Sequence, residues 1–313
     1  MGVQAGSARS TTHPWQSQSV RLLLGLAALG ALCAWAQVDR VLAALRAMPP
    51  GWILVGVGVY CAAQSLCVWR WSLLAGALEL SLPYRTFWHA YFGGMFASLA
   101  LPSCVGGDLL RVLVVARPVG DRTRAIVSVL ADRGVGLLVL TGTAALGAIL
   151  SPGMLPAAVN LLLWILAGLL GLGFLLPFLT HPRGSSVYLV GIAARCWRSP
   201  ARLLGAVVCG SLFQVALLAI FQLLGHGLGL AVTPAQYLVI CPLTSLASML
   251  PFTLHGIGER TAMLVFLFGL VGVEQERAVA FGLAWTAVTT LASLVGAVTL
   301  TSPEWRAATE PPH

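Results

Sequence analysis

The 313-residue chain is 58% hydrophobic and 9% charged, against about 25% charged residues in a soluble domain; such a composition cannot coat a water-soluble globule of this size. Its mean hydropathy of +0.89 fits an exterior facing hydrocarbon. The cationic residues are all arginine and leave a formal charge of +8, but they gather in short connections between apolar runs, which excludes the basic stripe of a nucleic-acid-binding module and marks topology and anionic lipid headgroups instead.

Residues 1–20 read as a polar tail rich in Ser and Thr. Leu22 to Val38 is the first apolar run. With Arg21 before it and Ala34-Trp35-Ala36 near its end it also has the form of a secretory signal, but the many runs that follow make it the first membrane helix. Trp52 to Leu74 is the second, and Arg70 near its end is placed to snorkel to the interface. Thr86 to Leu101 is shorter, carries Gly93 and Gly94, and stops at Pro102. Leu109 to Ala116 is too short to cross about 30 Å of hydrocarbon at about 1.5 Å per residue. The spacing therefore predicts a broken or re-entrant pair over 86–117.

Full spans follow near 125–149 and 157–180, then a basic linker over 181–202 containing Arg183, Arg195, Arg198 and Arg202. A span over 203–224 leads into the Gly-rich stretch His226 to Leu230. Tyr237 to Leu250 is again short and ends at Pro251; Thr261 to Val273 completes a second broken pair over 236–273. The last span, 278–300, precedes a polar tail over 302–313. The fold expected is an all-α polytopic membrane protein with about six full spans plus two broken or re-entrant helix pairs.

Two units emerge, 21–149 and 150–301, each with long spans flanking one broken pair. An odd number of crossings per unit makes the second inverted relative to the first. Paired Gly/Pro-interrupted segments in corresponding halves point to a site near the midplane. Arg117, Arg122 and Arg124 lie in one connection, and together with the 181–202 linker they place both termini of a multi-pass cytoplasmic-membrane protein in the cytoplasm.

Polar groups inside such a chain need a reason, because an ionisable residue within a span costs roughly 2.5–3.5 kcal/mol on an insertion scale. Asp108 and Arg111 follow Gly106-Gly107, and their i,i+3 spacing puts them on one helix face. Glycines there permit a sharp turn and free backbone amides to meet an anion, while Asp108 is also suited to capping. Asp132 and Arg133 cannot share a face, so each seeks partners on neighbouring spans, Arg111 being a candidate for Asp132. Gly256, Gly258, Glu259 and Arg260 repeat the pattern at the second break, with His255 beside them as a phosphate-binding or titrating group. Two such sites facing one another would hold a zwitterionic or anionic headgroup. Gln214 and Gln222 are neutral and cheap to satisfy, and Trp69, Trp71, Trp88 and Trp197 sit where interface anchors belong.

No catalytic set is present. The chain has no HExxH, GxSxG or Walker A motif, and its cysteines and histidines lack metal-ligand spacing. It is read as a protein without cofactor, metal or enzymatic activity, whose partners are membrane lipids and not nucleic acid. The cysteines act as small apolar fillers.

Leu101-Pro102-Ser103-Cys104-Val105-Gly106-Gly107-Asp108, followed by Arg111 and Ala116-Arg117, resembles the hallmark of the lysylphosphatidylglycerol synthase transmembrane-region family, also called flippase-like membrane proteins. Asp132-Arg133 with Gly136 is similar to the family's Asp-Arg segment, and Pro251 through Gly256-Ile257-Gly258-Glu259 to its second region. Cys104, where serine or alanine is usual, and His255 before Gly256 depart from the pattern. The resemblance covers about residues 20–300 and implies translocation of a phospholipid or lipid-linked headgroup. Multidomain relatives join this region to a cytosolic aminoacyl-transferring domain, for which this chain has no room, so it is not expected to make the aminoacylated lipid. Some stand-alone relatives occur with glycosyltransferases or hopanoid lipid synthesis, which implies such an enzyme as a partner. Secondary transport of a small solute, a membrane enzyme acting on lipid phosphates and a non-catalytic partner subunit are the competing readings. Access from the bilayer to Asp108 and Arg111 distinguishes a lipid carrier from a solute carrier.

Overall fold

A computed structural model describes residues 38–100, 104–180, 196–249 and 257–301. The first apolar run up to its last residue, Val38, the tips of both breaks (with Pro102, Pro251, His255 and Gly256), most of the basic linker and both tails lie outside the described residues. Within them the chain is all-α: α1 (Val38–Ala47), α2 (Pro50–Ala77), α3 (Tyr84–Ala100), α4 (Cys104–Val119), α5 (Arg122–Leu150), α6 (Ala157–Thr180), α7 (Pro200–Gly227), α8 (Pro234–Ala247), α9 (Ile257–Gly269) and α10 (Gln275–Leu294), continued by a 3₁₀ turn over Val295–Thr301. Five helices are long and apolar enough to cross a membrane: α2, α5, α6, α7 and α10 with its 3₁₀ extension. They match five of the six expected full spans.

Local chemistry starts these helices where they begin. Pro50 and Pro200 occupy the first turns of α2 and α7, where a missing N–H costs nothing. Asp121 caps α5 by accepting the Arg124 amide at 3.0 Å, and Thr233 with Gln236 forms a capping box on α8. Between the first two apolar runs lies α1. Val41 and Met48 are buried there against α7 and α10 residues, with Asp39 in its first turn and Arg46 in its last.

Burial differs sharply among the spans. The apolar window of α6 is 6% buried and that of α10 61% buried, so α6 is the lipid-facing periphery and α10 the centre. Leu161, Leu162, Leu169 and Leu172 of α6 are more than half exposed, tolerable only where the surroundings are hydrocarbon.

The packing is arranged in matching pairs. Helices α2 and α7 run along each other; α5 packs on α8, while α10 and its 3₁₀ turn pack on α3; α2 also meets α10, and α7 meets α5. Both α2 and α7 are 28 residues long, and they are offset by 150 residues (Pro50 to Pro200). The offset persists through the turns that follow. Glu79 and Gly229 have φ of 63° and 65°; the Leu80 amide reaches Ala75 O at 3.0 Å and the Leu230 amide reaches Gly225 O at 2.8 Å. Helices α3 and α8 then start at Tyr84 and Pro234.

In the first broken pair α4 begins at Cys104, so Gly106 and Gly107 lie inside the helix rather than in the turn before it. Gly107 serves close approach: a Cβ on it would sit 2.7 Å from Gly94 O, and one on Gly94 would sit 2.8 Å from Gly107 O. Gly258 likewise lies within α9. Among the described residues three hydrophobic clusters result: one among α2, α3, α4 and the start of α5, a larger one mainly among α1, α7, α8, α9 and α10, and a small one of Leu74, Val135, Leu203 and Ala206.

Candidate functional site

Five charged residues of the first half converge into one network. Asp132 of α5 is 1% exposed. Its Oδ1 accepts from Arg70 Nε at 2.7 Å and its Oδ2 from Arg111 Nη2 at 2.8 Å. Arg111 also donates to Asp108 Oδ1 at 3.2 Å, and Asp108 accepts both Arg133 Nε and Arg133 Nη2 at 2.9 Å. The order Arg70–Asp132–Arg111–Asp108–Arg133 alternates in sign, and three guanidinium groups against two carboxylates leave one net positive charge.

Depth follows from helix geometry. Asp132 lies ten residues into α5 and Arg70 seven residues before the end of α2, about 15 Å and about 10 Å along their axes. A buried ion pair is tolerated when its lone pairs and N–H groups are engaged; here both Asp132 oxygens accept a guanidinium N–H, while Arg111 Nε has no hydrogen-bond partner. The Arg111 guanidinium is also held between rings, its central carbon 4.2 Å from the Trp71 centroid and 4.5 Å from that of Tyr91. Trp71 is fixed in turn by Nε1 donating to Ser128 Oγ at 3.1 Å.

Asp108 is not a cap: it lies within α4 and spends both oxygens on arginines. Arg111 meets Asp132 as expected from sequence. Three readings are corrected. Arg70 does not snorkel; it is 6% exposed, drawn inward by Asp132 and lodged against Gly136, where a Cβ would come within 3.3 Å of its Nη atoms. Trp71, fully buried on Arg111, is no interface anchor, whereas Trp69 is 55% exposed. Gln214 is not cheaply satisfied: neither of its amide atoms has a hydrogen-bond partner.

Beside the network lies a cavity of about 260 Å³ walled by both halves of the chain. Helix α2 supplies Tyr60, Gln64 and Arg70, α3 supplies Tyr91, and α5 supplies Arg133 and Gly136. From the other half come Gln214 of α7, Thr244 and Ser245 of α8, Arg260 of α9, and Trp285 and Thr289 of α10. Arg260 Nη1 donates to Thr289 Oγ1 at 3.3 Å. Arg111 and Asp108 stand behind this wall, and Arg133, whose side chain is 44% exposed, links wall and surface. The side chain of Glu259 and all of His255 lie outside the described residues. Arg70, Tyr60, Gln64 and Tyr91 were not among the candidates read from sequence; the one available signal was that Arg70 and Gln64 are polar residues inside an apolar run.

The arrangement can hold an anion but shows no chemistry on it. Among the described residues no group of three or more His, Cys, Asp or Glu side chains is placed to hold a metal ion.

No curated protein and no solved structure matches this chain. Residues 22–296 match the family described as the lysylphosphatidylglycerol synthase TM region. With the match covering nearly the whole chain, this multi-pass, all-α membrane protein belongs to that family.

Proposed function

We propose that the protein carries the phosphate-bearing headgroup of a lipid across the cytoplasmic membrane, without chemical change. The observation that carries this reading is the cavity at membrane depth, walled by both halves, onto which Arg70, Arg133 and Arg260 open. Arginine suits a phosphate because its planar fork offers several donors at once. In this reading the half-exposed Arg133 marks where a headgroup enters laterally from the bilayer, as a lipid carrier requires and a sealed solute carrier does not. Family membership supports the lipid reading.

The two units, 21–149 and 150–301, form an inverted repeat in this reading. The 150-residue offset between α2 and α7, the matching turns at Glu79 and Gly229, and the reciprocal packing of α5 on α8 and α10 on α3 support it. Rocking of one unit against the other would expose the cavity to alternate sides. Both termini are cytoplasmic: Arg85, Arg117, Arg122, Arg124, Arg198 and Arg202 share one side of the bundle, against Arg40, Arg46 and Arg277 on the other. The candidate site then comprises Asp108, Arg111, Asp132 and Arg133 with Arg260, Glu259 and His255, joined by Arg70.

The test is headgroup translocation of labelled phospholipids and polyprenyl-linked lipids in proteoliposomes, comparing the parent with Arg133→Ala and Arg260→Ala. Movement of one lipid class, lost in both variants, supports the carrier. Equal movement by all three proteins removes the cavity from the path. A folded parent that moves no lipid but takes up a small anionic solute makes it a solute carrier, and one that moves neither is a partner subunit.

A further inference from the structure

We propose that Gln64 and Gln214 form the hydroxyl-reading part of the cavity and select a polyol phosphodiester, a phosphate whose substituent carries free alcohol groups. This deepens the headgroup reading and rests on it. The two glutamines occupy the same register, each the fifteenth residue of its helix counted from Pro50 and Pro200. Both line the cavity, and both are deeply buried, at 6% and 4% exposed. Gln64 Oε1, Gln214 Oε1 and Gln214 Nε2 have no hydrogen-bond partner. In a membrane interior such groups are costly to leave unmade and point to a bound molecule that satisfies them.

Their chemistry restricts that molecule. A carboxamide presents an acceptor oxygen and a donor nitrogen. Phosphate oxygens only accept and would be repelled by two Oε1 atoms; an ammonium group only donates and would leave Gln214 Nε2 unpaired. An alcohol hydroxyl does both. Thr244 and Ser245 extend the same preference, since their hydroxyls donate to Ile240 O at 2.7 Å and Cys241 O at 3.0 Å, leaving oxygen lone pairs for ligand hydroxyls. Arg70 and Arg133 remain for the phosphate. The volume, about 260 Å³, lies just under the usual range of about 300–1,000 Å³ for ligand pockets, which suits one small polyol and not an oligosaccharide.

The ligand's source is either a lipid headgroup or a soluble glycerophosphodiester, and the experiment separates them. Full-length protein is reconstituted in phosphatidylcholine vesicles containing trace labelled phosphatidylglycerol or, with the same chains, phosphatidylethanol, which keeps the phosphodiester and lacks hydroxyls. A third arm measures uptake of soluble glycerophosphoglycerol. The parent should translocate phosphatidylglycerol at least about tenfold faster than phosphatidylethanol, because a site built to hydrogen-bond a hydroxyl rejects the analogue lacking it. In the double variant Gln64→Leu/Gln214→Leu the ratio of the two lipid rates should fall to within about twofold.

The parent's ratio needs no variant, so the inference stays testable if the double substitution fails to fold. Equal parental rates for the two lipids overturn the hydroxyl-reading role while leaving the lipid carrier intact. Glutamine-dependent uptake of glycerophosphoglycerol without lipid movement supports the hydroxyl seat and overturns the lipid source. Transport in none of the arms overturns both.

Discussion

Replacing Asp132 by Asn tests whether the buried network holds α2, α4 and α5 together behind the cavity wall. Asp132 is the only carboxylate bonded to both Arg70 and Arg111 among the described residues, at 2.7 Å and 2.8 Å. Asparagine has nearly the same shape, but its amide nitrogen would face a guanidinium donor, and two buried cations would lose their shared counter-charge. Removing one partner of a buried pair costs about 3–5 kcal/mol. At about 2–4 °C per kcal/mol for a chain of this size class, the apparent melting temperature should fall by roughly 6–20 °C. The assay is thermal unfolding of detergent-purified protein followed by tryptophan fluorescence, at one scan rate because membrane proteins commonly unfold irreversibly. Arg133→Ala is the control. It removes two 2.9 Å bonds to Asp108 from a side chain 44% exposed, but Asp108 keeps its bond to Arg111 and no buried cation loses its counter-charge; it should abolish transport with a smaller fall in melting than Asp132→Asn. A drop below about 2 °C for Asp132→Asn would refute the reasoning, since the charges would then be solvated rather than paired.

Four further outcomes follow from named residues. Gly94→Ala should destabilise the α3–α4 pair by about 1–3 kcal/mol, read as a lower melting temperature, because its Cβ would meet Gly107 O at 2.8 Å. Gly136→Val should slow transport more than it lowers stability, as the side chain displaces the Arg70 guanidinium that already stands 3.3 Å from the Cβ position; transport rate and melting measured together decide. Cys196, outside the spans, is buried and its thiol is pushed up to about 11 by burial. It should resist maleimide labelling in folded protein across pH 7–9 and react on unfolding, and rapid labelling of the native protein at pH 8 would contradict that burial. Cysteines placed at Gly120 and Gly153, both in turns with positive φ, should be labelled from opposite faces of sealed cells, Gly120→Cys from the cytoplasmic one; the reverse would invert the proposed topology.

Much of the fold was legible beforehand. Membrane class followed from the shortage of charge, and the apolar runs anticipated α2, α5, α6, α7 and α10 to within a few residues. The broken pairs were visible as runs too short to cross, and the pairing of Asp132 with Arg111 followed from the cost of a lone charge in hydrocarbon. The boundaries at the breaks were less legible: Gly106 and Gly107 read as a turn because glycine permits one, yet here glycine serves the crossing of α3 and α4. The proposed repeat was suggested in the sequence only by segment lengths. Lipid-facing positions need merely be apolar, so residue identities can diverge while helix length, turn geometry and register persist.

What the sequence by itself determined is depth: hydropathy and helix rise say how far into the membrane Arg70, Gln64, Asp132 or Gln214 must lie. What only the tertiary structure decided is direction around the helix axis. Helices α2 and α7 are apolar on all sides, so no amphipathic stripe marks an inward face. Arg70 could turn to the interface or to Asp132, and Gln214 to a neighbour or to empty space. The packing of α2 along α7, with α5 and α10 beside them, turned these residues toward one cavity.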